Sequence, residues 1–145
     1  MTRGRGVLIA TVLVALAAAG TATAVRPTSE ARLSGHVRGD DESIVRLTVA
    51  YDKNFDAKVA KRFRFKKINA TCDGAAQRIS IKLSGRVPFE DGAFARTFSG
   101  SGGDKVKIEG AFNNGGRLIG LVRAPQITID GLGACKVAPS EFKVS

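Results

Sequence analysis

Apolar and polar side chains alternate with a period of two along most of the chain after residue 31. In residues 44–51, for example, Val45, Leu47 and Val49 share one side of an extended chain. The same alternation returns in residues 79–84, where every second side chain is aliphatic. A period of two in segments rich in β-branched residues is typical of strands with one buried face, and it does not fit an amphipathic helix. The chain is therefore predicted to fold from β-strands.

Turn-forming residues separate these alternating segments at short intervals. Residues 99–104 (SGSGGD) and 113–116 (NNGG) supply the glycine and asparagine that tight hairpin turns favour. Short strands joined by such turns predict an all-β fold of about eight or nine strands, and we favour an antiparallel β-sandwich over a barrel. The candidate strands are 31–38, 43–52, 57–71, 77–87, 93–99, 104–112, 116–124, 126–130 and 134–144.

The N-terminal segment has the features of a secretory signal peptide. Two arginines precede an uncharged run over residues 7–20, which is followed shortly by the small residues Ala-Thr-Ala. This run is shorter than the roughly 20 apolar residues that a membrane-spanning helix requires. We predict that residues 1–24 are a cleaved signal peptide, 25–30 a polar linker and 31–145 a single domain, so that the mature protein is secreted or associated with the cell envelope and has no membrane span. The alternative is a leader that is retained as an N-terminal anchor.

The mature chain is expected to carry a large excess of positive charge. Cleavage removes Arg3 and Arg5 from the 23 Lys and Arg of the sequence, which leaves 21 of them against 13 Asp and Glu and a formal charge of +8. Such an excess attracts polyanions, although solubility alone is the simpler explanation of a basic composition. Outside a cell the available polyanions are wall polymers, anionic lipid headgroups, acidic polysaccharides and stray nucleic acid.

Residues 61–72 (KRFRFKKINATC) concentrate positive charge around two phenylalanines. As a strand, this segment directs Phe63 and Phe65 into a core and leaves the intervening cations outside. The apolar side chains change phase by one residue after Lys66, and a β-bulge at Lys66 and Lys67 would keep them inward. We therefore predict a bulged strand and not a nucleic-acid-binding arm. The outward cations of this and other strands form the predicted site for an anionic polymer: Arg62, Arg64, Lys66, Lys82, Lys105 and Lys107.

Cys72 and Cys135 are the only cysteines, and both lie in the exported part of the chain. An even number of cysteines in an oxidising compartment predicts a disulfide. A metal site is the alternative, but His36 is the single histidine and no Cys-x-x-Cys spacing occurs. We therefore expect a Cys72–Cys135 disulfide and no metal.

Five short motifs occur in a fixed order along the predicted domain. They are Cys-Asp-Gly at 72–74, Gly-Ala-Phe at 92–94, Ile-Glu-Gly-Ala-Phe at 108–112, Ile-Gly-Leu-Val-Arg at 119–123 and Gly-Ala-Cys at 133–135. In this order the chain resembles a group of small secreted all-β proteins of actinobacteria that have two cysteines and no assigned function. The resemblance implies a β-sandwich with a Cys72–Cys135 bridge and implies no activity. The group usually continues with Gly and an aromatic residue, often Trp, where this chain has Lys-Val-Ala-Pro, so the register of the last strand stays open.

Residues with catalytic potential are few. The nearest serine to His36 lies on the same predicted strand, a poor arrangement for a Ser-His-carboxylate triad. The acidic runs at 40–42 and 90–91 lack the spacing of a calcium-binding EF-hand loop and are expected to be solvated turns. A pair of carboxylates drawn from distant loops, as in glycosidases, stays open. We predict no catalytic residue, no enzymatic activity and no cofactor.

A sugar-stacking surface is also weakly supported by the sequence. The chain has no Trp, and its single tyrosine, Tyr51, falls on the predicted inward side of its strand.

Three functions follow from these observations. The first is a non-catalytic secreted β-domain that binds an anionic polymer of the cell envelope through a basic sheet face, without specific recognition of nucleic acid. The second is an extracellular protein-binding module, such as an inhibitor, that uses its loops or an open sheet edge. The third is a hydrolase with an unrecognised site.

Overall fold

Eight antiparallel strands and one 3₁₀ turn make up the part of the chain that the computed structural model describes, residues 29–145. The all-β prediction is confirmed for these residues. They contain no helix long and apolar enough to cross a membrane. The predicted signal peptide and residues 25–28 lie outside the described residues. The strands are β1 (Ser29–Val37), β2 (Asp40–Tyr51), β3 (Ala57–Cys72), β4 (Ala75–Pro88), β5 (Ala93–Ser99), β6 (Lys105–Phe112), β7 (Leu118–Ile129) and β8 (Gly133–Val144).

Most predicted strand boundaries differ from the observed ones by one to three residues, and two of the differences change an assignment. β1 begins at Ser29, so Ser29 and Glu30 of the predicted linker already pair with β2. The predicted strands 116–124 and 126–130 are one continuous strand, because Pro125 falls in a register shift between Ala124 and Ile127 and does not end the strand. Proline has no backbone N–H to donate to the ladder, and within a sheet it is tolerated at bulges such as this one.

The strands form a single sheet in the order β4-β3-β2-β1-β8-β7-β6-β5. A further antiparallel pairing joins the end of β3 to the start of β8, and it closes β1, β2, β3 and β8 into a ring. The predicted sandwich is therefore not confirmed. The free edges of the sheet are β4 and β5, and the Arg96 guanidinium on β5 donates a hydrogen bond of 3.2 Å to the Arg86 carbonyl on β4.

Two irregularities bend β3, the longest strand. Phe65 lies opposite Ile81 and Ile68 lies opposite Ile79, so Lys66 and Lys67 together face one residue of β4. Lys67 has φ 55°, and the predicted bulge at Lys66 and Lys67 is confirmed. A second shift occurs around Arg62, against both neighbouring strands. Because bulges bend and twist a strand, they allow the far end of β3 to reach β8.

The core lies between the inward faces of the two halves of the sheet. Phe63 and Phe65 of β3 are fully buried, as the alternation predicted. The Phe63 ring contacts the Phe94 ring at a centroid distance of 5.8 Å, and the Phe65 ring contacts the Phe142 ring at 5.6 Å. Since one face of β3 is committed to these contacts, its other face is left to solvent, and that face carries the cations.

The predicted disulfide is present. Cys72 and Cys135 are bonded, their Cα atoms are 4.1 Å apart, and both side chains are buried. The bond therefore lies at the β3–β8 seam that closes the ring.

Candidate functional site: a basic face across four strands

Two rows of cations cross the outer face of β1 to β4. In the first row, Arg46 of β2 lies directly opposite Arg64 of β3, which lies directly opposite Lys82 of β4. All three side chains are exposed. Adjacent strands are about 4.8 Å apart, so the row places one positive charge at each strand spacing.

The second row lies further along the same strands. Arg32 of β1 is opposite Thr48 of β2, Thr48 is opposite Lys61 of β3, and Lys61 is opposite Arg86 of β4. Arg62, at the second bulge of β3, lies between the two rows. We call these seven residues the basic face: Arg32, Arg46, Lys61, Arg62, Arg64, Lys82 and Arg86.

The basic face borders an open groove of about 720 Å³ that all seven cations line. Within the described residues, no acidic side chain lines this groove. One carboxylate reaches it from the rim, because Glu30 of β1 is hydrogen-bonded to Lys61 and accepts a second hydrogen bond of 3.3 Å from Arg62. The hydrogen bond from Lys61 is the main cause that lowers the pKa of Glu30, and Arg62 adds to it. Among the described residues, the other five cations of the basic face form no ion pair.

This arrangement opposes the ordinary rules of sheet stability. Like charges directly opposite each other on neighbouring strands destabilise a sheet, and Arg46, Arg64 and Lys82 form two such pairs. Arg62 also has φ 56°, a left-handed conformation that is uncommon for residues other than glycine. Departures from local rules tend to occur where function requires them. The basic face thus combines repulsion and backbone strain in one place.

The predicted site residues separate into two groups. Arg62, Arg64 and Lys82 lie in the basic face, and Lys66 continues the outward side of β3 beyond Arg64. Lys105 and Lys107 lie on β6, which pairs with β5 and β7 and not with the strands of the basic face. The structure therefore brings three of the predicted cations together in the basic face, leaves Lys66 beyond the groove and places two on a distant strand.

Four cations of the basic face were not predicted from the sequence: Arg32, Arg46, Lys61 and Arg86. The alternation of β2 already placed Arg46 on the outward side of its strand. Arg32 and Arg86 each lie next to an apolar residue, Leu33 and Val87, and the same alternation could have placed them outward. Lys61 gave no such signal, because the bulge at Arg62 changes the phase of the strand.

His36 has a structural contact in the β1–β2 hairpin. Its Nδ1 donates a hydrogen bond of 2.6 Å to the carbonyl oxygen of Ser43. The Ser43 hydroxyl accepts from the Val37 N–H at 2.8 Å and donates to the Asp40 carbonyl at 2.7 Å. In the described part of the chain, the imidazole is hydrogen-bonded neither to a serine hydroxyl nor to a carboxylate. The absence of enzymatic activity stays a prediction.

The acidic run at 40–42 was predicted to be a solvated turn, but it forms the start of β2. Among residues 29–145, no three His, Cys, Asp or Glu side chains are grouped to hold a metal ion. Asp40 of the first acidic run instead forms an ion pair of 2.8 Å with Arg78.

Comparisons of the chain with protein-family models, with curated proteins and with solved structures find no match.

Proposed function

We propose that this protein is a secreted, non-catalytic domain that binds an anionic polymer through the basic face. The observation that carries this proposal is the alignment of Arg46, Arg64 and Lys82 across three adjacent strands, within a groove that seven cations line. A row of charges with a regular spacing suits a ligand whose own charges repeat. A single small anion would use only one or two of them.

The composition of the basic face favours phosphate, sulfate or carboxylate groups. Five of its seven cations are arginines, and a guanidinium forms two parallel hydrogen bonds with such groups. The described groove offers no exposed aromatic ring, since Phe63, the aromatic residue that lines it, is fully buried. Proteins that bind single-stranded nucleic acids usually stack bases on such rings. We therefore favour a wall polymer or an acidic polysaccharide over nucleic acid.

The experiment compares two triple variants of equal net charge. In the first, Arg46, Arg64 and Lys82 are replaced by glutamine. In the second, Lys105, Lys107 and Arg123 are replaced by glutamine, which removes the same charge from the paired strands β6 and β7. Both variants and the wild type are eluted from immobilised heparin with a salt gradient, and their dissociation constants are measured at several salt concentrations.

We expect the dissociation constant of the first variant to rise at least about tenfold, and that of the second to stay within about twofold of the wild-type value. For nucleic acids each neutralised phosphate contributes about 0.7 to 0.9 to the slope of log affinity against log salt, so the first variant should lose about two units of slope on a similarly charged polymer. Equal losses in both variants would mean that net charge alone attracts the polymer. Binding that does not respond to salt would also overturn the proposal.

A further inference from the structure

The turns that join β2 to β3, β4 to β5 and β6 to β7 meet around an aromatic cleft of about 530 Å³. Four aromatic residues line it, one or two from each turn region. The Phe89 and Phe112 rings are stacked at a centroid distance of 5.9 Å, and the Tyr51 ring lies 6.4 Å from the Phe112 ring. The fourth, Phe55, is 79% exposed and is the one large apolar side chain of the described residues that is so open to solvent. We call Tyr51, Phe55, Phe89 and Phe112 the aromatic cleft.

Phe55 is held in an unfavourable conformation by a neighbouring carboxylate. Its φ is 62°, a left-handed value that a bulky side chain rarely adopts. One carboxylate oxygen of Asp52 accepts hydrogen bonds from the N–H groups of Asn54 and Asp56, at 2.8 and 3.0 Å. The Phe55 N–H donates to the Asp52 carbonyl at 3.0 Å. The turn is therefore ordered by its own hydrogen bonds, although it exposes a phenyl ring and strains its backbone.

The charge of the cleft is opposite to that of the chain. Asp56 and Asp91 line it together with one cation, Lys58. The Lys58 ammonium lies 3.5 Å from a carboxylate oxygen of Asp52, which offsets its charge. No ion pair in the described part of the chain includes Asp56 or Asp91. Aromatic rings are thus combined with two uncompensated carboxylates on a strongly basic protein.

We propose that the aromatic cleft binds an organic ammonium group, with aromatic rings around the methylated nitrogen and the carboxylates of Asp56 and Asp91 near its charge. Ring faces attract cations through the electrostatics of the π-system, and methylated ammonium groups also bury their apolar surface against the rings. The two carboxylates distinguish this ligand from a neutral sugar or an anion. The site is separate from the basic face, so that each proposal can fail without the other.

Tyr51 gives a specific readout of binding, because the chain has one tyrosine and no tryptophan. Its fluorescence is measured while the full chain is titrated with choline. The control ligand is 3,3-dimethylbutan-1-ol, which has the shape of choline with a neutral carbon in place of the nitrogen. We expect a saturable change with choline and a dissociation constant at least about tenfold lower than that of the alcohol.

Three variants test the assignment of residues. Phe55→Ala and the double variant Asp56→Asn/Asp91→Asn should each raise the choline dissociation constant about threefold or more. Asp130→Asn, which removes an exposed carboxylate from another turn, should leave it unchanged. The glutamine variant of Arg46, Arg64 and Lys82 should also bind choline as the wild type does. Thermal melting of each variant shows whether it is folded.

The same titration identifies the source of the ammonium group. Tighter binding of a trimethyllysine peptide than of choline would assign the ligand to a protein side chain, and the reverse order would assign it to a small molecule. Equal affinity for choline and its neutral analogue would overturn the proposal, because the cleft would then recognise only apolar shape. An unchanged Tyr51 signal together with unchanged Tyr51 ring resonances in an NMR spectrum would overturn it as well.

Discussion

Cys72 and Cys135 lie directly opposite each other on β3 and β8, and their side chains are joined by a disulfide. One further residue pair, Thr71 and Lys136, extends this ladder. By contrast, β3 pairs with β4 over 11 positions. The disulfide therefore fastens the ring at its shortest ladder.

Removal of this bond should cost a large share of the stability of the domain. The two cysteines are separated by 63 residues in sequence, and closing a loop of that size in the unfolded chain is worth about 4 kcal/mol. We expect the double variant Cys72→Ala/Cys135→Ala to lose about this amount in the free energy of unfolding, measured with urea. Amide exchange at residues 71, 72, 135 and 136 should accelerate more than exchange elsewhere. A loss below about 1 kcal/mol with unchanged exchange would contradict a fastening role.

Ser43 should be essential to the β1–β2 hairpin. Its buried hydroxyl satisfies the Val37 N–H where the ladder between the two strands is interrupted. In Ser43→Ala this donor loses its partner, and we expect the free energy of unfolding to fall by about 1 to 3 kcal/mol. Ser80→Ala removes an exposed hydroxyl from β4 and should change it by less than about 0.5 kcal/mol. Equal effects in the two variants would show that the hydrogen bonds of Ser43 contribute nothing specific.

Gly120 of β7 allows close packing of the core. A Cβ atom at this position would overlap the Phe142 ring and would lie 2.7 Å from the Glu109 carbonyl oxygen. Because one of these neighbours is backbone, a rotamer change cannot relieve both contacts. We expect Gly120→Ala to destabilise the protein by about 1 to 3 kcal/mol in urea unfolding. The control is Gly115→Ala in the β6–β7 turn, where the nearest atom would be 3.4 Å away and stability should be nearly unchanged.

Asp52 should make folding stability sensitive to acid. The hydrogen bond from the Asp56 N–H is the largest cause that lowers the pKa of Asp52, and the Asn54 N–H and Lys58 act in the same direction. Because the folded state favours the carboxylate, its contribution is present above the ordinary aspartate pKa of about 3.9 and is lost as the pH falls below that value. We expect the melting temperatures of the wild type and of Asp52→Asn to differ most near neutral pH and to converge as the pH falls below the ordinary aspartate pKa. A difference that is constant across this range would contradict the linkage.

The local pattern of β3 was sufficient to predict how this strand is built. Phe63 and Phe65 could be placed in the core because their spacing leaves only one inward side, and the phase change at Lys66 required the bulge that is observed. The closure of the ring could not be predicted in this way. It depends on which strands become neighbours, and the alternation within a strand does not specify its partners.

The basic face shows the same limit at the level of the site. Arg62, Arg64 and Lys82 were predicted because each is outward on its own strand, and Lys105 and Lys107 were included for the same reason. Only the strand order separates these two groups, since β6 is paired far from β3 in the sheet. The exposure of the Phe55 ring could not be predicted from the sequence. It follows from a left-handed backbone conformation in a turn that the hydrogen bonds of the Asp52 carboxylate hold in place.

Removal of the negative charge of Glu30 should strengthen polymer binding, which gives a further test of the basic face. Its carboxylate is ionised at neutral pH, since its pKa is lowered chiefly by the hydrogen bond from Lys61, and it occupies donors of Lys61 and Arg62 that a polymer would use. We expect Glu30→Gln to lower the dissociation constant for heparin by about two- to fivefold at low salt, because the competing charge is gone. Glu141→Gln is the matched control, since it removes an equal charge from an ion pair with Arg38, outside the basic face. It should raise affinity less than Glu30→Gln does. Exposed ion pairs add little to stability, so both variants should melt close to the wild type. Equal gains in affinity would attribute binding to net charge instead of to the basic face.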